Sequence, residues 1–229
     1  MTRFCITLLL GSILGCASKL PVDSLPVSSA EDVVLPDLVV VSFADQRVTV
    51  PAFVALDAGW LEVFACVAGT RDHEAALVLN AKPSTIHAAL LMLGLEPGSP
   101  ATYDAKMGIE TPPAGPRVAI SVEWIIDEST LRSRSAGELL ATDRDLPDPI
   151  FVFAGSIIAP NAESMGPGEH YVADFTGTVV GLATFGEEVI ASRAVHSHEL
   201  GVEPAAWKLK PGMLPEVGSK VTLVLTPVR

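Results

Sequence analysis

Short runs rich in Val, Leu and Ala recur along the chain from residue 38 onward and predict mainly β-strands. The first two runs, residues 38–43 and 48–56, are separated by a polar tetrapeptide, which is typical of a β-hairpin. A third strand is predicted over residues 60–67, where alternate side chains share one face. Later strands are predicted at residues 117–126, 150–153, 171–175, 178–184 and 220–226.

Two helical segments interrupt this β pattern. The first is predicted over residues 73–81, because Pro83 follows and disfavours a longer helix. The second is predicted from Pro83 or the next residue to Leu93, with Gly94 as its C-terminal stop. Residues 88–93 are apolar on every side of this helix, which predicts a buried position. The expected fold class is α+β, a mostly antiparallel β-sheet domain with an inserted two-helix hairpin.

The first 16 residues have the pattern of an export signal. Arg3 precedes an apolar run over residues 4–14, which is too short for a permanent membrane span. Residues 13–16, Ile-Leu-Gly-Cys, resemble the bacterial lipobox. That resemblance implies a signal peptide over residues 1–15 and a mature N-terminus at Cys16 that carries lipid, including palmitate. An ordinary signal that is cleaved elsewhere is the alternative.

Residues 16–36 are rich in Pro and Ser and show little periodicity, so we interpret them as the lipidated N-terminus and a flexible tether. The alternative is that this segment forms a first irregular piece of the domain. No shift in composition divides residues 37–229, which predicts a single domain.

Composition and charge limit which kinds of binding partner are expected. The chain is 49% hydrophobic, and 15 Lys and Arg residues stand against 27 Asp and Glu, giving a formal net charge of −12. A nucleic acid is not an expected partner, because phosphate backbones select clustered cations. The expected partners are the membrane, through the lipid anchor, and an envelope protein or a small ligand. We therefore expect an exported protein, lipid-anchored in the bacterial cell envelope.

Five sequence elements in consistent order carry a family resemblance. They are LEVFACVAGTRDHE at 61–74, HAALLMLG at 87–94, FVFAGS at 151–156, HYVADFTG at 170–177 and LPEVGSKVTLVLTP at 214–227. Together they resemble the YdjY domain family over residues 38–229. This is a family of bacterial, often exported proteins without an established biochemical role, so the resemblance implies a domain but no activity.

Four residues form the candidate chemical site: Cys66, His73, Glu74 and His87. Thiolate, imidazole and carboxylate are ligands that zinc and copper accept, and a thiolate near a helix N-terminus can act as a nucleophile. The spacing matches no known metal motif, and Leu77 stands where a zincin helix needs its second His. Structural roles, a metal or small-ligand site and a catalytic thiol remain open alternatives.

The resulting hypothesis is a non-enzymatic envelope lipoprotein whose domain binds a ligand or a protein, with no cofactor predicted. The first alternative is a metal-dependent or thiol-dependent enzyme centred on Cys66, His73 and Glu74, with zinc or copper as the ion. A purely structural surface protein is the second. A second histidine pair, His196 and His198, is interpreted as part of a solvated loop, because its neighbours are Ser, Arg and Glu.

Overall fold

Short apolar strands make up most of the structure, a computed structural model that describes residues 31–104, 109–198, 201–202 and 204–229. The strands in chain order are β1 Val33–Val34, β2 Val40–Ser42, β3 Arg47–Val54, β4 Gly59–Leu61, β5 Val63–Val67, β6 Ala75–Leu79, β7 Thr102–Asp104, β8 Ile109–Thr111, β9 Val118–Ile125, β10 Leu131–Ser135, β11 Leu140–Ala141, β12 Phe151–Phe153, β13 Ile158–Pro160, β14 Glu169–Tyr171, β15 Thr178–Gly181, β16 Ile190–Ser192, β17 Trp207–Leu209 and β18 Lys220–Pro227. The α-helices are α1 Pro83–Met92, α2 Ala136–Leu139 and α3 Ala173–Thr176, and short 3-10 turns occupy Pro36–Leu38, Asp72–Glu74 and Glu163–Met165.

Eleven of the described strands form one large sheet. Its main path runs β10-β9-β18-β3-β6-β5-β15-β16-β12, and β2 joins β3 while β1 joins β2. Arg117, which directly precedes β9, forms a bridge with Val152 of β12 near the other end of this path. The sheet therefore curls back on itself, and most of its strand pairs are antiparallel.

The long strands show why the sequence forms this sheet. In β3, Val48, Val50, Ala52 and Val54 are buried, while the residues between them are less covered. This alternation places one face of the strand in the core and leaves the other partly solvated. The predicted hairpin is confirmed, because β2 and β3 pair antiparallel with Val41 opposite Val48.

Two of the described strand pairs are parallel, and both have short connections. β5 pairs with β6 through residues 68–74, and β15 pairs with β16 through residues 182–189. Parallel neighbours are more often joined by a dozen or more residues that include a helix. Because β5 also pairs with β15, the two connecting loops belong to adjacent parts of the sheet.

The predicted helix over residues 73–81 is wrong, and with it the two-helix hairpin. After the 3-10 turn at Asp72–Glu74, the chain enters β6, which lies between β5 and β3 in the middle of the sheet. A central strand covered on both faces is a continuous apolar run, which periodicity alone does not distinguish from a buried helix. The sheets and the few helices otherwise agree with a mainly β architecture.

The second predicted helix is confirmed as α1, but its burial differs from the expectation. Ile86, Ala89 and Leu90 are buried, whereas Leu91 is 45% exposed. Apolar residues on all sides therefore do not place this helix fully inside the core. Gly94 ends it with a φ of 81°, and the Leu95 N–H donates to the Leu90 carbonyl over 3.2 Å, as in a Schellman motif.

Two further predicted strands are divided in the structure. Residues 60–67 contribute β4 to a small sheet of order β11-β17-β4 and β5 to the large sheet. Residues 171–175 contain the end of β14 and the start of α3. In both places the chain changes direction within an apolar run, so the hydrophobic pattern gave no boundary.

The predicted tether reaches into the described part of the chain. Val33 pairs with Val41 and Val34 with Val40, and Val33 and Leu35 pack against the core. The sheet thus includes residues that precede residue 37. The predicted signal peptide and Cys16 lie outside the described residues. Within the described ranges, none of the helices combines the length and the apolar character that crossing a bilayer requires.

Candidate functional site

Cys66 is a core residue of β5. Its side chain is 0% exposed and packs in a small apolar cluster with Val63 and Ala75. Burial raises the pKa of the Cys66 thiol, so the sulfur stays protonated at neutral pH. Nucleophilic and metal-binding cysteines act as thiolates, whereas a buried protonated cysteine behaves as a small hydrophobic residue.

His73 and Glu74 follow Cys66 closely in the chain but do not share its burial in the core; the Glu74 charge is near enough to contribute to the raised pKa of the thiol. The His73 side chain is 81% exposed, and its Nε2 lies 3.8 Å from Oε2 of Glu74. The Glu74 carboxylate accepts a hydrogen bond from Nη1 of Arg71 over 3.1 Å. Among the residues that the structure describes, no group of three or more His, Cys, Asp or Glu side chains could hold a metal ion.

His87 belongs to a different part of the molecule. Its Nδ1 lies 2.9 Å from the hydroxyl of Tyr171, which donates to the Gly155 carbonyl over 3.0 Å. Because the phenol has one proton and a carbonyl can only accept, Nδ1 of His87 carries the proton that reaches the Tyr171 oxygen. Burial lowers the pKa of His87, against a smaller opposing effect of the Gly155 carbonyl, which favours this neutral imidazole.

Because His87 lies one residue from an apolar run, the sequence predicts that its imidazole is partly buried and hydrogen-bonded, with partners on residues 66–74. The burial and the hydrogen bond are confirmed, but the partner segment is wrong. We expected partners on residues 66–74, since the predicted hairpin would have placed two helices side by side. That first helix does not exist, and α1 instead contacts α3. The His87 ring accordingly packs edge-on against Phe153 and Tyr171, at centroid distances of 4.9 and 5.4 Å.

We use the term motif junction for five residues that make contacts between α1, the loop after β12 and the segment of β14 and α3: His87, Gly155, Ser156, Tyr171 and Asp174. Within it, the backbone N–H of Ala173 donates to Oγ of Ser156 over 3.3 Å. Ser156 has a φ of 56°, a conformation that costs energy for a residue with a side chain. The loop that holds Gly155 and Ser156 is thus fixed by contacts from α1, β14 and α3.

Asp174 joins the motif junction to the start of α1. Its carboxylate accepts hydrogen bonds from the backbone N–H and the hydroxyl of Ser84, over 2.8 and 2.7 Å. The first N–H groups of a helix have no partner within the helix, and the helix dipole favours an anion there. Asp174 therefore caps α1 from a distant part of the sequence.

The contacts at the motif junction hold distant segments of the chain together. Burial, and secondarily the charge of Asp174, raise the pKa of Tyr171, so its phenol stays protonated and remains a hydrogen-bond donor. Nδ1 of His87 is already engaged with that phenol. The Tyr171 phenol is therefore committed to this contact, while Nε2 of the neutral His87 ring keeps a lone pair.

A second polar cluster forms where the two short parallel connections meet. The Arg71 guanidinium lies 3.9 Å from the ring centroid of Phe185 and 3.9 Å from Oε1 of Glu187. Glu187 also accepts hydrogen bonds from the hydroxyls of Thr176 and Thr178, over 2.6 and 3.1 Å. Arg71 on one loop is thereby fixed to Phe185 and Glu187 on the other.

Glu188 fixes the shape of the loop over residues 182–189, which we call the Phe185 loop. It is 1% exposed, and its carboxyl group accepts hydrogen bonds from the backbone N–H groups of Phe185, Gly186 and Glu187. Burial raises the pKa of Glu188 in spite of these donors. A Cβ at Gly181 would lie 2.6 Å from Cγ of Glu188, so the loop leaves no room for a side chain there.

Glu62 adds a second carboxyl group close to Glu74. Burial raises the pKa of Glu62, and the Glu74 charge and a side-chain hydrogen bond to Glu74 raise it further. Electrostatic interactions with His198 and Arg71 act on the Glu62 pKa in the opposite direction. The environment of the two loops is therefore predominantly acidic, with Arg71 already paired.

A cavity of about 470 Å³ lies beside the Phe185 loop. Its described lining includes Glu110, Thr111, Phe185, Val195 and His198. Nδ1 of His198 lies 2.9 Å from the Thr184 carbonyl, and the His198 ring stacks at 5.0 Å from that of Phe185. This volume falls within the range of small-molecule sites, and part of its wall is rigid.

The interpretation of His196 and His198 as a solvated pair holds for only one of them. His198 is exposed, but His196 is buried and its backbone pairs with Thr184. Sequence reasoning missed the cavity because its described walls come from segments that lie more than 70 residues apart in the chain. The histidine pair that follows Phe185 in the chain was the available signal.

The comparisons with known proteins agree with the sequence elements quoted above. The family model of the YdjY domain matches residues 39–226. The chain belongs to the YdjY domain family. No curated protein and no solved structure matches it significantly.

The matched region contains both polar clusters. Three quoted elements of the YdjY domain meet at the motif junction: HAALLMLG supplies His87, FVFAGS supplies Gly155 and Ser156, and HYVADFTG supplies Tyr171 and Asp174. The first element supplies Arg71 to the second polar cluster, where its guanidinium packs on the Phe185 ring. In this YdjY domain, the elements that carry the family resemblance therefore build contacts between loops, and the cavity lies beside them.

Proposed function

We propose that this protein is a non-enzymatic lipoprotein of the bacterial cell envelope whose YdjY domain binds a small ligand. The observation that supports binding is the cavity beside the Phe185 loop, with a volume of about 470 Å³. Its wall is preorganised, because Glu188 and Arg71 hold Phe185 in place before any ligand arrives. A preorganised wall lowers the cost of binding, because its side chains and loop lose little conformational entropy when the ligand binds.

The envelope location rests on the N-terminal sequence. Arg3, the apolar run over residues 4–14 and the lipobox-like residues 13–16 support export and lipidation at Cys16. Two or more acyl chains on Cys16 would give stable anchoring, whereas one chain gives only reversible binding. The domain would then be tethered close to the membrane surface.

The enzyme alternative centred on Cys66, His73 and Glu74 has weaker support. The thiol is buried and its pKa is raised, and the imidazole faces solvent. A thiol enzyme requires the opposite arrangement, a thiolate that is accessible and next to its base. We therefore propose ligand binding in the cavity rather than catalysis at Cys66, His73 and Glu74.

Cys16→Ser tests the anchor. We expect the variant to remain unprocessed or to appear in the soluble fraction, because serine cannot accept the thioether-linked lipid. The measurements are membrane fractionation and the intact mass, with Cys5→Ser as control, since the signal peptide that contains it is removed. Unchanged fractionation and unchanged mass for Cys16→Ser would contradict the lipoprotein assignment.

Thr111→Trp tests the cavity. Thr111 is exposed at the cavity wall, so a larger side chain can fill the space without disturbing the core. In a small-molecule screen by thermal shift, we expect compounds that stabilise the wild type and lose this effect in Thr111→Trp. Val217→Trp is the control, because Val217 is exposed and lies outside the cavity lining. Compounds that act equally on all three proteins would place binding elsewhere.

A further inference from the structure

Four neighbouring strands of the large sheet, β3, β18, β9 and β10, share a face that points away from the core. Residues that lie opposite each other on antiparallel strands are on the same face, and one such row contains Pro51, Thr222, Glu123 and Ser133. The adjacent row contains Phe53 opposite Lys220 and Ile125 opposite Leu131. The buried positions of β3 and β9 alternate with these residues. We call the two rows the open sheet face.

Apolar side chains on the open sheet face are exposed to solvent. Ile125 and Leu131 lie opposite each other and are 59% and 57% exposed. Two shallow cavities of about 400 and 340 Å³ are both lined in part by Lys220, and the exposed Leu38 lines the first of them together with Phe53. Apolar residues that cluster on a surface are typical of an interaction site, whereas isolated ones are not.

The charges on this face are nearly balanced, unlike those of the whole chain. Among the outward positions of the four strands, the charged residues are Arg47, Lys220 and Glu123, and Arg47 lies 3.6 Å from Glu123. Asp37 and Asp45 flank the face, the first beside Lys220 and the second beside Arg47. Two cations and three carboxylates give −1, against −12 for the chain. Two copies of the chain repel each other overall, and least where they meet through this face.

The edge of β10 is less suited to self-association than the face. Among the described strands, β10 pairs with β9 alone. Arg132 and Arg134 lie opposite buried residues of β9, so both are on the inward side of the edge strand. Two β10 strands that paired antiparallel about Ser133 would also place Arg132 beside Arg134. Inward-pointing and like charges both oppose pairing at an edge.

We propose that the open sheet face packs against the same face of a second copy of this chain, related by a two-fold axis. In such a contact one patch meets itself, so the Lys220 ammonium of one copy faces a carboxylate of the other, and both copies bury Ile125 and Leu131. From the spacing of strands and residues, the face measures roughly 20 by 25 Å. This is less than the roughly 800 Å² that each partner buries in a standard stable complex, so we expect a Kd of about 10 μM or weaker. The contact requires neither the lipid anchor nor the ligand cavity.

Light scattering of the purified full chain in mild detergent, with separate detection of the protein mass, tests this contact. The protein mass should rise from one copy to two as the concentration increases through the Kd. Ile125→Arg should raise the Kd at least about tenfold, because it places an unpaired cation in the contact. Ile158→Arg is the matched control, since it changes an exposed isoleucine of β13 and should associate like the wild type.

Circular dichroism establishes that both variants are folded, and Leu131→Arg replaces Ile125→Arg if the latter is not. Lys220→Glu should also weaken association, and by less at high salt, because it removes the cation that faces a carboxylate. A single copy at every concentration overturns the proposal and leaves a lipid surface or another protein as the occupant of the face. Equal effects of Ile125→Arg and Ile158→Arg, or stronger association in Lys220→Glu, overturn it as well.

Discussion

At the scale of single residues, His87 shows how one hydrogen bond can join distant segments. It is half-buried on α1 and donates to Tyr171, which lies 84 residues further along the chain. The sequence indicated that His87 is desolvated, because it lies beside an apolar run. It did not indicate Tyr171, since this contact exists only after α1 and α3 have packed together.

His87→Gln should lower the free energy of unfolding by about 1–3 kcal/mol, because the Tyr171 hydroxyl would lose a well-placed buried partner. His73→Gln is a matched control, since the His73 side chain is 81% exposed. We expect a change within about 0.5 kcal/mol for this control. Urea unfolding at pH 7.5 measures both variants. Equal effects in the two variants would contradict the assigned role of His87.

The same residue predicts a pH dependence. Burial lowers the pKa of His87 below its ordinary value of 6.5, so the folded protein binds this proton less readily than the unfolded chain does. Its contribution to stability is present above pH 6.5 and is lost as the pH falls through the folded pKa. The wild type should therefore lose more stability than His87→Gln between pH 7.5 and 5.5. Parallel losses would show that His87 does not titrate in this way.

For Cys66, in contrast to His87, the sequence did not predict the surroundings of the side chain. The sequence could identify its residue type and its place near His73 and Glu74, but it could not tell which way each side chain points. In the structure, the Cys66 thiol lies in the core and the His73 imidazole is exposed to solvent. Proximity in sequence was therefore a poor guide to a shared site.

At the scale of elements, the sequence predicted the features that depend on neighbouring residues. It did not predict those that depend on tertiary contacts. The hairpin of β2 and β3 and the end of α1 at Gly94 depend on turns and caps within a few residues. The strand β6 depends on its position between β5 and β3. Its apolar run suits either a helix or a central strand, and only the sheet decides between them.

Leu90→Ala tests the packing of α1. Leu90 is fully buried, so the truncation should lower stability by about 2–5 kcal/mol through lost contacts and a residual cavity. Leu91→Ala on the same helix is the control, because Leu91 is 45% exposed. We expect this control to cost less than about 1 kcal/mol. Chemical unfolding compares the two, and a similar loss for both would mean that the faces of α1 are assigned incorrectly.

At the scale of the whole molecule, two short parallel connections determine where the candidate site lies. The loops over residues 68–74 and 182–189 meet because β5 pairs with β15. Arg71 and Phe185 come into contact across more than 100 residues of sequence. No local pattern carries this information, which is why the cavity was not predicted although the family and the mainly β architecture were.

The start of the domain gives a test at the same scale. The sequence predicts that the domain folds without its first 36 residues, whereas the structure pairs Val33 and Val34 with β2 and packs Leu35 against the core. We therefore compare a chain that begins at residue 31 with one that begins at residue 37.

Both truncated chains should unfold cooperatively, because β2 to β18 contain most of the core. The shorter one should be less stable by about 1–3 kcal/mol, since it loses the partly buried side chains of Val33 and Leu35 and the pairing of β1. Urea unfolding measures the difference, and alanine at both positions in the longer chain should reproduce most of it. Equal stability would show that β1 contributes nothing. A longer chain that unfolds without cooperativity would show that residues before 31 belong to the folded domain.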